Sequence, residues 1–166
     1  MSNKIYPIGI QNFEKIRKGG YCYIDKTAWI YQMVKTGSYY FLSRPRRFGK
    51  SLLLSTLEAY FQGKKKLFEG LAIEKLEKDW FKYPILHIDL NTEKYDTPER
   101  LENKLNRTLV EWEKIYGAES AETSLAMRFE GIIQRACEKE GQSVVILVDE
   151  YDKPMLQAIG NDELQK

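Results

Sequence analysis

The chain has 166 residues, 43% hydrophobic and 30% charged, with a net charge of +2, so it carries enough apolar material for one substantial core, and one domain is the expectation. A charge this close to neutral argues against a dedicated nucleic-acid binder; Arg44, Arg46, Arg47 and Lys64-Lys65-Lys66 are only local basic spots. No stretch approaches the roughly eighteen uninterrupted apolar residues of a membrane span, and the N-terminus lacks an apolar targeting core, so a cytoplasmic protein without membrane contact is expected.

Ile8-Gly9-Ile10 leads into Phe13 and Ile16 at helical spacing, and Gly19-Gly20 breaks the chain. Tyr21-Cys22-Tyr23-Ile24-Asp25 reads as a short strand, after which Lys26-Thr27 opens a helix carrying Ile30, Met33 and Val34 on one face and stopped at Gly37. Phe13 or Tyr23 could reach an adenine ring from this leading segment, although a core role for both is the preferred reading. Cys22 and Cys137 match no zinc or redox spacing and read as reduced core thiols.

Tyr39-Tyr40-Phe41-Leu42 reads as a buried strand, and Leu52-Leu53-Leu54-Ser55-Thr56-Leu57 as the start of a helix that runs on to Gly63. Between them lies Ser43-Arg44-Pro45-Arg46-Arg47-Phe48-Gly49-Lys50-Ser51. A strand, a turn ending in Gly-Lys-Ser and a helix form the frame of a phosphate-binding loop. In such a loop Gly49 lets the backbone approach phosphate, and amides from Arg46 through Leu52 face the anion. Lys50 reaches the β- and γ-oxygens, and the Ser51 hydroxyl ligates magnesium. Arg44 stands where the usual pattern has its first glycine.

Lys64-Lys65-Lys66 reads as a solvated loop, and Phe68, Leu71, Ile73 and Leu76 as a short helical or irregular connection ending near Trp80. Ile85-Leu86-His87-Ile88-Asp89-Leu90 reads as a second strand. The lone His87 is taken as a strand residue, and Asp89 could either approach a site or cap the next loop. Thr97-Pro98-Glu99 starts a helix with Leu101, Leu105, Leu109, Trp112 and Tyr116 on one face, ending at Gly117. After a polar linker, a further helix places Leu125, Phe129, Ile132, Ile133, Ala136 and Cys137 together and ends near Gly141.

Val144-Val145-Ile146-Leu147-Val148 is a continuous apolar run, the pattern of a parallel strand covered on both faces, and it ends in Asp149-Glu150. Carboxylates at the carboxyl end of such a strand lie where open α/β sheets bind ligands. In a Walker B strand Asp149 would hold magnesium, usually through water, and Glu150 would activate the attacking water. Tyr151-Asp152-Lys153-Pro154 then turns into a helix through Leu156 and Ile159. The succession of elements implies parallel strands joined by right-handed crossovers, hence a three-layer α/β sheet.

The runs Pro7 to Phe13, Tyr23 to Thr27, Phe41 to Ser51 and Val148 to Pro154 together closely resemble the bacterial predicted AAA-ATPase family, also called AAA-ATPase-like. The resemblance covers essentially the whole chain, and the family also lacks the first loop glycine, so Arg44 is a shared trait. It implies a P-loop NTPase, ATP and Mg2+ as cofactors, and an added strand between the Walker A and Walker B strands. Family members are typically longer, many with a C-terminal domain similar to restriction-type nucleases. Residues 1–37 are expected to form a segment ahead of the loop and 38–166 the P-loop core. The chain stops about sixteen residues after Glu150, ahead of the family's inserted strand, sensor, lid and arginine finger, so the expectation is a sheet incomplete on its C-terminal side. Phe41 and Ile146 would then flank a gap that is either filled by a second copy, giving a homo-oligomer, or closed by the two strands pairing directly. The leading expectation is an ATP-binding module with slow hydrolysis; the alternative is a nucleotide-gated module acting on a protein partner or a downstream domain.

Overall fold

The structure is a computed structural model that describes residues 5–43, 45, 48–91 and 94–158, with residues 157 and 158 described by backbone alone. Arg44, Arg46, Arg47 and Ile159 lie outside the described residues. The chain forms two compact units, Met1–Lys82 and Tyr83–Lys166, each described by itself. It is a mixed α/β protein with a two-stranded parallel sheet in the second unit.

The first unit is helical. Helix α1 (Phe13–Lys18) is capped by Asn12, whose side chain accepts from the Lys15 amide, and the chain turns out of it at Gly19-Gly20. Helices α2 (Thr27–Thr36), α3 (Lys50–Phe61) and α4 (Ala72–Leu76) follow, with a 3-10 turn at Lys65–Phe68. Phe13, Ile16, Phe68 and Ile73 are buried completely or nearly so. Phe13 packs its ring 4.9 Å from Phe68 and 5.1 Å from Tyr23; of the two candidate adenine contacts Phe13 is a buried core aromatic, and Tyr23 is half-buried against it. The Phe13 amide donates to Ser55 Oγ at 2.9 Å, which fastens the start of α1 to α3.

Two expected strands are absent from the ladders of this unit. In Tyr21–Asp25 the Cys22 amide makes a single long-range bond to Ile5 O. Asp25 acts as a clasp instead: its carboxylate accepts from the Thr27 amide, the Thr27 hydroxyl and the Ala72 amide at 2.6–2.8 Å, joining the starts of α2 and α4. Burial pushes the Asp25 carboxyl up, but these bonds outweigh it and hold it below the ordinary Asp value. Tyr39–Leu42, expected as a buried strand, is exposed, with Tyr39 at 96% and Phe41 at 73%. Tyr40 folds back on α2, where its hydroxyl donates to Met33 O. An aromatic run has the side chains for a sheet, but a strand also needs a neighbour for its backbone groups.

Glu77 is buried beside Tyr60, whose hydroxyl bonds its carboxylate, and its Oε2 lies 3.0 Å from Lys35 Nζ. Burial raises the carboxyl's pKa, but the Tyr60 and Lys35 bonds and the Asp79 amide together bring it below the usual Glu value of 4.5. Such a group contributes stability above its unfolded pKa that is lost as pH falls through the folded one. Exposed Glu14 behaves similarly, held at about 2 by Lys18 and Lys64. The melting temperature is therefore expected to fall as pH drops below about 4.5, and Glu77→Gln should flatten part of that fall. Repeating the scan at about 1 M salt screens the Glu14 pairs; an acid limb that is identical in parent and Glu77→Gln would assign the sensitivity to surface pairs alone.

In the second unit, β1 (Ile85–Asp89) and β2 (Val145–Asp149) pair in parallel, with Asp89 in register with Asp149. Between them run α5 (Pro98–Tyr116) and α6 (Leu125–Glu140). Leu86, Leu109, Trp112 and Ile132 form the core. Pro98 opens α5 and Gly117 ends it at positive φ, as expected, whereas the Thr97 side chain makes no capping bond. Ser124 caps α6 and left-handed Gly141 ends it. Arg128 makes a bidentate pair with Glu113 of α5, and Arg135 one with Glu122 of the polar linker. Cys137 is exposed, contrary to the core reading, because it lies at the edge of the buried α6 stripe that ends in Ala136. Helix α7 (Lys153–Ala158) follows β2. Among the described residues no helix is long and apolar enough to cross a membrane.

Candidate functional site

One candidate region, in the first unit, is the start of α3. Gly49 occupies the N-cap position with φ 81° and ψ 19°, in the left-handed region that L side chains adopt only with strain. Among the described residues an added Cβ would meet nothing within 4 Å, so the backbone conformation itself calls for glycine. Lys50 and Ser51 are the first two helical residues. The first-turn N–H groups of any helix lack intrahelical partners, and here no side chain caps them among the described residues.

The charge at this helix start suits an anion. The first turn of α3 contains no acidic residue and carries Lys50, which places a cation at the positive end of the helix dipole. That arrangement is locally unfavourable by about 0.3–1 kcal/mol and becomes favourable when an anion binds. By contrast, α5 carries Glu99 in its first turn, and the α4 amides of Ala72 and Ile73 are taken by Asp25 and Thr27. Lys50, Ser51 and Leu52 are half-buried, whereas Phe48 is 64% exposed. The expected contributions of Arg46 and Arg47 lie outside the described residues.

A second candidate region, in the other unit, is the carboxyl end of the parallel pair. Leu90 N donates to Asp149 O at 3.1 Å, which carries the pairing one step past Asp89. Asp149 Oδ1 accepts from the Glu150 amide at 2.9 Å. Among the described non-glycine residues, Glu150 alone has positive φ, at 53°; such backbone costs about 1–3 kcal/mol and persists where surrounding contacts enforce it. Asp89 takes the capping role. It lies beside Asp149 in register, and its Oδ1 accepts from the Asn91 amide at 2.7 Å, closing the turn after β1.

Sequence reasoning missed Asn91 and Lys153. The Lys153 ammonium donates to Asn91 O at 2.5 Å and lies 3.3 Å from Asn91 Oδ1. The signal for Lys153 in the sequence is its place in Tyr151-Asp152-Lys153-Pro154, the loop between the Asp149-Glu150 strand end and the next helix; Asn91 carries none.

By residue type, each region offers an oxygen ligand that suits a hard cation. A Ser51 hydroxyl and an Asp149 carboxylate are oxygen ligands of the kind magnesium takes together with waters and substrate phosphates. Among the described residues no three His, Cys, Asp or Glu side chains gather into a metal cage, and a magnesium shared with a phosphate chain does not require one.

No solved structure matches the chain. It is 42% identical over 168 residues to the "Uncharacterized protein in vnfD 5'region" of Azotobacter chroococcum mcd 1. The alignment covers all of this chain and 32% of that relative, so the chain spans about a third of the relative's length. The family model for "Predicted AAA-ATPase" matches residues 7–166, which include the Gly49 helix start and the Asp149-Glu150 strand end. The chain belongs to the predicted AAA-ATPase family, and that membership implies nucleotide binding.

Proposed function

We propose that the chain is an ATP-binding P-loop module that requires magnesium and hydrolyses ATP slowly. The observation that carries this reading is the start of α3: a left-handed Gly49 opening an uncapped helix whose first residues are Lys50 and Ser51, with no acid in its first turn. In the proposed arrangement the α3 amides and Lys50 hold the phosphate chain, Ser51 and Asp149 support magnesium, and Glu150 orients the attacking water and takes its proton. Magnesium, when bound, neutralises charge developing on the phosphoryl oxygens. The fold proposed for the whole is a mostly parallel three-layer P-loop sheet, with residues 1–37 ahead of the loop and 38–166 forming the core.

Slow turnover follows from how phosphoryl transfer is catalysed. An arginine finger supplied by a partner is worth about 10³–10⁵ in rate, so a homo-oligomer or a further domain is the proposed source of full activity. Isothermal calorimetry with ATP and magnesium tests the reading. Lys50→Ala should weaken binding by about 1.5–3 kcal/mol, the cost of a lost charge-assisted contact. Equal affinity in mutant and parent would remove Lys50 from the phosphate site.

A further inference from the structure

We infer that Lys153 is the positioning residue that holds the Asp149-Glu150 turn in its working conformation. The inference rests on the ATPase reading for its functional consequence and on geometry alone for the clamp. Glu150 departs from β2 with φ 53°, and the turn it begins is closed by the Lys153 amide donating to Glu150 O at 3.0 Å. That bond shapes the turn but attaches it to nothing else. The attachment comes from the other end of the same residue, since Lys153 Nζ reaches Asn91 O and Oδ1 in the turn that follows β1.

The anchor itself is well fixed. Asn91 lies one residue beyond Leu90, whose amide continues the pairing with Asp149 O, and its own amide is held by the Asp89 carboxylate. Asp89 in turn stands in register with Asp149. The contacts form a closed circuit: Asp149, Glu150, Lys153, Asn91, Asp89 and back to Asp149. An ammonium suits this task because it bonds both oxygens of Asn91 from a flexible stem. A left-handed glutamate needs such support, because strained backbone relaxes once the contacts around it are removed.

The test uses Lys153→Met, which keeps the stem and removes the donor, and Lys153→Arg, which keeps a cationic donor. In hydrogen–deuterium exchange the amides of Glu150 through Lys153 should exchange about tenfold faster in Lys153→Met while those of Leu86 and Leu147 are unchanged, and Lys153→Arg should return them toward the parent rate. In single-turnover assays Lys153→Met should lower the ATP hydrolysis rate by about tenfold to a hundredfold with nucleotide affinity unchanged, as misplacement of a reacting group does. Unchanged exchange overturns the clamp, and faster exchange with an unchanged rate overturns the positioning role. A parent that binds no ATP is a failure of the proposed function instead; faster exchange in Lys153→Met would still support the clamp. If Lys153→Met does not fold, Lys153→Leu, which also lacks a donor, takes its place with the same expected results.

Discussion

Replacing Glu150 with glutamine is expected to cut ATP hydrolysis by about 10²–10⁴, the range a positioned general base contributes, while leaving nucleotide affinity nearly unchanged. The substitution keeps the shape of the side chain and removes its ability to take a proton. Glu150 stands at the carboxyl end of a parallel strand, next to Asp149, with a backbone conformation that no other described non-glycine residue adopts. Strain at such a position is retained when the surrounding contacts over-determine it, and the bond from its amide to Asp149 Oδ1 is one of them. Phosphate release under single-turnover conditions, with protein in excess, reads the chemical step even when it is slow. A mutant hydrolysing at the parent rate would take the base role away from Glu150. A mutant that loses turnover, keeps binding and preserves its biological output would favour the nucleotide-gated module over the ATPase.

Local signals carried most of what could be read before the structure. The continuous apolar run ending in Asp149-Glu150 is a strand ending at Asp149, and the stripes ending at Gly117 and Gly141 are the two long helices; the strand is not covered on both faces as expected, because Ile146 and Val148, which share one face, are exposed while Leu147 on the other is buried. These succeed because periodicity and helix-stop chemistry belong to neighbouring residues. Tyr39–Leu42 failed for the opposite reason. Its aromatic side chains suit a sheet, but whether a strand forms depends on a partner elsewhere in the chain, and the run is exposed with Tyr40 bonded back to α2. Half of the candidate site was legible from residue type and spacing, namely Gly49-Lys50-Ser51 and Asp149-Glu150. The supporting contacts were not, because Lys153 and Asn91 are 62 positions apart and neither residue type announces the other. The clasp built by Asp25 was likewise hidden, its carboxylate spanning 47 positions to the Ala72 amide.

The largest loss of stability is expected from Phe68→Ala, at about 3–5 kcal/mol, the range for truncating a buried aromatic. Phe68 is fully buried, with its ring 4.9 Å from Phe13 and 5.1 Å from Trp80. Removing it takes away contacts shared with both neighbours and leaves a cavity that the two remaining rings cannot readily collapse to fill. A native domain has only about 5–15 kcal/mol of stability in total, so the first unit should unfold at much lower urea, which Trp80 fluorescence would follow. Phe48→Ala is the control, since that ring is 64% exposed and its loss should change stability by about 0.5 kcal/mol or less. A loss below about 1 kcal/mol in Phe68→Ala would show that the aromatic cluster repacks. The consequence should reach the site through α1, because Phe13, packed on Phe68, is also bonded through its amide to Ser55, one turn beyond Ser51 on α3. At low temperature, where the variant is still folded, ATP affinity should be close to that of the parent. It should then fall on warming well before the parent's does, because the helix that presents Lys50 and Ser51 rests on this core.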